Sequence, residues 1–78
     1  MKILIVEDEE NLLLLTKSEL EKEGYKVDSA ITLQQALDRI ISTSYDCILL
    51  DIMLPDGNGL SLLKTLKNQR GENLVEVI

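Results

Sequence analysis

Seventy-eight residues, 45% hydrophobic and 28% charged, suffice for one domain, but a chain this short buries a modest share of its surface and is marginal without help. A net charge of -6 without a single histidine argues against autonomous nucleic-acid binding, which needs a basic stripe to neutralise phosphates. No apolar run approaches the roughly 18 residues of a membrane-spanning helix, nothing marks secretion, and the lone Cys47 has no intrachain partner, so a reducing cytoplasm and a buried, inert thiol are expected.

Lys2 to Val6 is a short continuous apolar run, the form of a strand buried on both faces of a parallel sheet. The acids Glu7 to Glu10 follow, favourably placed at the positive end of a helix expected from Asn11 to Glu23. On a 3.6-residue period Leu12, Leu13, Thr16 and Leu20 share one side of that helix. Leu14 points away, so the four consecutive leucines make no membrane segment and Leu14 is expected to be partly exposed.

Gly24 sits where a helix C-cap belongs, and Tyr25 to Ala30 reads as a second strand. Thr32 is placed as the N-cap of a helix running to about Ser42, with Gln35 at the capping-box position and Leu33, Ala36, Leu37, Ile40 and Ile41 in one stripe. Cys47 to Leu50 forms a third, central strand. Pro55 and Gly57 punctuate the loop after it, and Gly59 to about Asn68 gives a third helix carrying Leu60, Leu62, Leu63 and Leu66. A polar loop over 69–73 leads to a fourth strand, or the beginning of one, from Leu74 to Ile78.

With Tyr25 and Tyr45 the only aromatics, the core must be aliphatic. The order βαβαβαβ predicts an α/β sheet with right-handed crossovers. Such a sheet needs helices on both faces, and three helices cannot easily cover four strands. No repeat or linker marks a second domain, so residues 1–78 are read as one unit.

Two of these strands end in acids, Glu7-Asp8 after the first and Asp51 after the third. Parallel strands ending this way make a divalent-metal pocket at the carboxyl edge of the sheet. Asp8 and Asp51, with Glu7 and the main-chain carbonyl of Met53, would bind Mg²⁺, which favours near-octahedral oxygen ligation with several retained waters. A carboxylate can also be a nucleophile toward a phosphoryl group, and the metal would neutralise the repulsion between two anions. The bland alternative is that acids sit at strand ends because strands end at solvent. Asp56 reads as a turn residue rather than a ligand.

The stretches Lys2 to Glu9, Glu23 to Val27 and Asp46 to Gly59, the last reading Asp46-Cys47-Ile48-Leu49-Leu50-Asp51-Ile52-Met53-Leu54-Pro55-Asp56-Gly57-Asn58-Gly59, resemble the receiver domain of bacterial two-component response regulators, most of all the winged-helix transcription-factor subgroup. The resemblance implies a flavodoxin-like fold with strand order 2-1-3-4-5, three-layer α/β/α in the full domain. It implies that Asp51 is the aspartate phosphorylated by a sensor histidine kinase or by small phosphodonors. Asp8 matches the direct Mg²⁺ ligand, Glu7 the acid that more often acts through water, and Met53 the backbone-carbonyl ligand. Pro55 and Gly57 match the residues that shape the loop, and Gly59 the start of the third helix packed close to the sheet. Receivers of this kind catalyse their own phosphorylation and dephosphorylation and pass the change to an output domain, here expected to be transcriptional.

Against that pattern this sequence stops in or just after the fourth strand, so 1–78 is expected to be an incomplete receiver. The hydroxyl residue that follows the fourth strand, the lysine that ends the fifth and the helical output surface have no counterpart among these residues, and Lys2, Lys64 and Lys67 do not replace that lysine. The alternative expectation is therefore a receiver fragment that does not switch and acts as a structural or self-associating module, through the open fourth-strand edge or by domain exchange. No direct nucleic-acid or membrane contact is expected of the segment.

Overall fold

Alternation along the buried strands sorts the core onto the two faces of one sheet. The computed structural model describes residues 1–51, 53–59, 61, 62, 64 and 74–77. In chain order its elements are β1 (Lys2–Val6), α1 (Glu10–Lys22), β2 (Lys26–Ala30), α2 (Leu33–Ser42), β3 (Cys47–Leu50), β4 (Met53–Leu54), β5 (Gly57–Asn58) and β6 (Leu74–Val77). Strands β1, β2, β3 and β6 form one parallel sheet in the order β2-β1-β3-β6. This is the α/β receiver-type arrangement, with β6, the fourth strand of the sequence reading, at the sheet edge.

Successive strand residues point to opposite faces. Leu4 and Val6 of β1 and Ile48 and Leu50 of β3 therefore join Ala36 and Ile40 of α2, with Tyr45, Leu54 and Leu62, in one cluster. Ile3 and Ile5 meet Leu13 of α1, Val27 and Cys47 in the other. Cys47 is a buried thiol outside any disulfide, as expected.

Both helices carry the caps that their sequences call for. Glu9 accepts from the Asn11 and Leu12 N–H groups at 3.1 and 2.8 Å, so α1 opens on a carboxylate at its positive end. It closes one residue earlier than expected, at Glu23 as C-cap, with Gly24 beyond it at φ +91°. The Gly24 N–H donates to Glu21 O and the Tyr25 N–H to Leu20 O, at 3.0 and 3.3 Å. These two bonds are a Schellman closure, and the left-handed backbone it requires is what makes glycine the fitting residue at 24.

Thr32 caps α2, its Oγ1 accepting from the Gln35 N–H at 3.1 Å. The reciprocal half of the expected box goes one residue back, because Gln35 Oε1 accepts from Ile31 N–H at 3.0 Å rather than from the cap residue.

Two positions differ from the expected apolar stripes. Leu12 was placed with Leu13 on the buried side of α1, yet it is 44% exposed, and Ile41 of α2 is 63% exposed. Each lies at the margin of its stripe, where burial depends on whether a neighbouring element covers it. Leu14 is exposed as expected, and so is Leu15.

The third helix expected from Gly59 is helical at 61, 62 and 64, its first turn marked by a Leu62 N–H donating to Gly59 O at 3.0 Å. Its positions 60, 63 and 65–68, the loop expected over 69–73 and the terminal Ile78 lie outside the described residues.

One element leaves no mark in the sequence. Residues Met53 to Asn58, expected as a plain loop, form a small antiparallel hairpin in which Met53 pairs with Asn58 and Leu54 with Gly57. Pro55 and Asp56 are its turn.

Candidate metal and phosphoacceptor site

Register brings the acids together. The last paired residues of the two central strands are Val6 and Leu50, and the ladder runs one step further: the Asp51 N–H donates to Val6 O at 2.9 Å and the Glu7 N–H to Ala30 O at 3.0 Å. Glu7 and Asp51 therefore leave the sheet side by side at its carboxyl edge, with Asp8 next along the chain. One carboxylate oxygen from each of Glu7, Asp8 and Asp51 falls within 4.8 Å of the others. Glu7 is buried, 5% exposed, while Asp51 is half-buried and Asp8 exposed.

Such a corner is electrostatically costly when empty. Burial pushes the Glu7 carboxyl above the usual carboxylate range, and the charges of Asp51 and Asp8 and a hydrogen bond with Asp51 push it further in the same direction. The Glu9 N–H, donating to Glu7 Oε1 at 3.0 Å, opposes them. An all-oxygen anionic donor set with one buried member suits a hard divalent cation such as Mg²⁺. Oxygens that lie within 4.8 Å of one another are close enough to share one such cation.

The remaining residues singled out from the sequence lie in the hairpin and the helix start that follow Asp51. Met53 begins β4 two residues past Asp51, Pro55 lies in the hairpin turn, and Gly57 starts β5 with φ +156°. A Cβ at Gly57 would stand 3.0 Å from Leu33 Cδ2, so the hairpin lies close against the start of α2. Gly59 is buried at the opening of the third helix.

Asp56 is a turn residue as expected, and it does more than turn the chain. Its carboxylate accepts from the N–H groups of Leu33 and Gln34, at 2.6 and 3.0 Å, which holds its carboxyl below the usual range. The sequence carries no signal for a bond that spans 22 and 23 residues. An Asp beside a Gly in a turn is accounted for locally, and the partner appears only when the fold brings α2 alongside.

Comparison with known proteins agrees with the fold. Residues 3–78 match the family described as the response regulator receiver domain. The response regulator ArlR of Staphylococcus aureus is 42% identical over 74 residues, which cover 95% of this chain and 34% of that protein. Response regulator TrrA from Thermotoga maritima, crystallised in complex with Mg²⁺-BeF, superposes with a TM-score of 0.86 at 34% identity, over 97% of this chain and 64% of the other. A chain in the crystal structure of histidine kinase ThkA in complex with TrrA gives 0.89 at 34% identity, over 97% and 66%. The chain belongs to the response-regulator receiver family. It spans about a third of the length of the curated relatives it matches. Among the described residues no helix is long and apolar enough to cross a membrane.

Proposed function

We propose that Asp51 is the phosphoacceptor of this receiver and that Asp8, Asp51 and the Met53 carbonyl, with Glu7 through water, hold the Mg²⁺ that assists the transfer. The observation that carries this reading is the convergence of Glu7, Asp8 and Asp51 at the carboxyl ends of adjacent strands. A carboxylate oxygen of Asp51 attacks the phosphorus of a phosphohistidine or of a small acyl phosphate. The bond from phosphorus to the donor nitrogen or oxygen breaks, its electron pair leaves with the donor, and Asp51 becomes an acyl phosphate. Bound Mg²⁺ supplies charge neutralisation between the carboxylates and the incoming phosphoryl oxygens.

Asp51 follows the end of β3 and is half-buried, so it keeps some exposure to a donor. The likeness to TrrA, which takes Mg²⁺-BeF and binds a histidine kinase, supports a sensor histidine kinase as donor here. The change at Asp51 would pass to an output domain, transcriptional in kind.

Intact mass after incubation with Mg²⁺ and acetyl phosphate tests this. The expected result is a gain of one phosphoryl mass in the wild type and none in Asp51→Asn; equal modification of both, or none of either, would contradict it.

A second reading concerns these 78 residues taken alone, as a module that carries the nucleophile and metal carboxylates without a working switch. They span 64% of the TrrA chain. Among the described residues the sheet order leaves β6 at the edge, a strand flank of the kind that recruits another chain, and α1 exposes Leu14 and Leu15 at 63% and 61%. Self-association of the isolated polypeptide is the expected behaviour, through strand addition or domain exchange. Sedimentation equilibrium showing a cooperatively folded monomer would count against it.

A further inference from the structure

The hairpin that follows Asp51 is too small to hold itself. Two strands of two residues each are far below what a lone hairpin needs in water, yet this one carries Met53, whose carbonyl the proposed function assigns to the metal. Three contacts fix it. Leu54 is buried in the core cluster that includes Leu50 and Leu62. Gly57 lies against Leu33, where an added Cβ would stand 3.0 Å from its Cδ2. At the turn, Asp56 accepts from the Leu33 and Gln34 N–H groups at 2.6 and 3.0 Å.

The third contact fits a need of α2. The first turn of that helix has no acidic residue of its own, and Thr32 Oγ1 serves only the Gln35 N–H. The Leu33 and Gln34 N–H groups would otherwise turn to water, and a carboxylate meets both them and the positive end of the helix. Charge-assisted bonds of this kind are short and strong, so the hairpin turn is tied to a rigid element rather than to another loop.

We propose that Asp56 is a positioning residue for the metal corner: its carboxylate ties the turn of the β4–β5 hairpin to the N-terminus of α2 and so sets where the Met53 carbonyl stands relative to Asp51 and Asp8. The inference rests on the metal reading above and adds a residue to it. Residues that orient a ligand without touching the ion commonly govern its affinity, because a displaced ligand costs binding energy as surely as a missing one.

Mn²⁺ affinity by electron paramagnetic resonance, set beside thermal midpoints of the same proteins, tests it in the intact chain. Asp56→Ala is expected to bind Mn²⁺ about tenfold more weakly, at the lower end of what such partners contribute. Asp56→Asn, which loses the charge and one of the two acceptor oxygens, should fall between. Thr32→Ala removes a cap from the same helix without touching the hairpin, so it should lower the midpoint and leave Mn²⁺ affinity unchanged. Wild-type affinity in Asp56→Ala, or an equal loss in Thr32→Ala, would overturn the inference. Should Asp56→Ala not fold, wild-type affinity in Asp56→Asn would do the same. A wild type that binds no Mn²⁺ refutes the metal reading itself, and this inference with it.

Discussion

The two faces of the central sheet are made from neighbouring residues of the same strands, yet they are covered to different degrees. On the α2 side Leu4, Val6, Ile48 and Leu50 are all fully buried. On the α1 side Ile3 and Ile5 are buried too, but Leu49 of β3 is only partly so, and α1 itself shows Leu12, Leu14 and Leu15 to solvent. Leu49 and Leu50 are adjacent and chemically identical, so their difference belongs to the cover and not to the residue. Strand composition determines that both faces are apolar; only packing decides how dry each becomes.

The sharpest way to test that contrast is to truncate the two leucines. Leu50→Ala should cost about 2 to 5 kcal/mol by urea unfolding, the range for a fully buried leucine that leaves a cavity. Leu49→Ala should cost about 1 kcal/mol, nearer the ordinary effect of a point substitution. Equal losses would show that the α1 face is as tightly closed as the other.

A smaller effect lies on the well-covered side. Tyr45 is buried there, and its hydroxyl donates to Asp28 Oδ2 at 2.6 Å, joining the segment before β3 to β2. Tyr45→Phe should cost about 1.5 to 3 kcal/mol, the scale of a hydrogen bond to a charged group. Burial first, then the bond and the charge of Asp28, push the Tyr45 hydroxyl up from 10.0 to about 12. A raised folded value favours the neutral form in the native state, so this stability is complete below pH 10 and is lost as pH rises toward about 12. Alkaline unfolding of Tyr45→Phe should lack that loss; an identical profile in both proteins would deny the coupling.

Much of this was legible in the chain, and what was not has a common cause. Strand positions, the Thr32 cap and the meeting of Asp51 with Glu7-Asp8 follow from periodicity and from where apolar runs end, all of them local properties. The outward turn of Leu12 and Ile41, the partner of Asp56 and the burial of Glu7 depend on which distant segment lies alongside. The hairpin of β4 and β5 escaped because four residues of pairing leave no periodicity to read.

Two effects at the surface complete the series. Leu14→Gln should change unfolding stability by less than about 0.5 kcal/mol, while reducing any self-association seen in sedimentation; a loss of several kcal/mol would mean that Leu14 is covered in solution. Asp56 lies at an exposed site, and its two backbone donors hold its carboxyl below the ordinary 3.8. A lowered folded value means stability that is present above about pH 4 and lost as pH falls through the native value. Acid titration of Asp56→Asn should be flatter than wild type in that window, and parallel curves would show that the bond adds nothing there.

The most direct measurement is the thermal midpoint as Mg²⁺ rises from zero to millimolar, in wild type and in Asp51→Asn. Crowded carboxylates destabilise the metal-free fold, and a cation that binds only the native corner stabilises it by mass action. The wild-type midpoint should climb with Mg²⁺, and the Asp51→Asn midpoint should start higher without metal and climb less. A wild-type midpoint unchanged across the titration would contradict the claim that Glu7, Asp8 and Asp51 form a metal site.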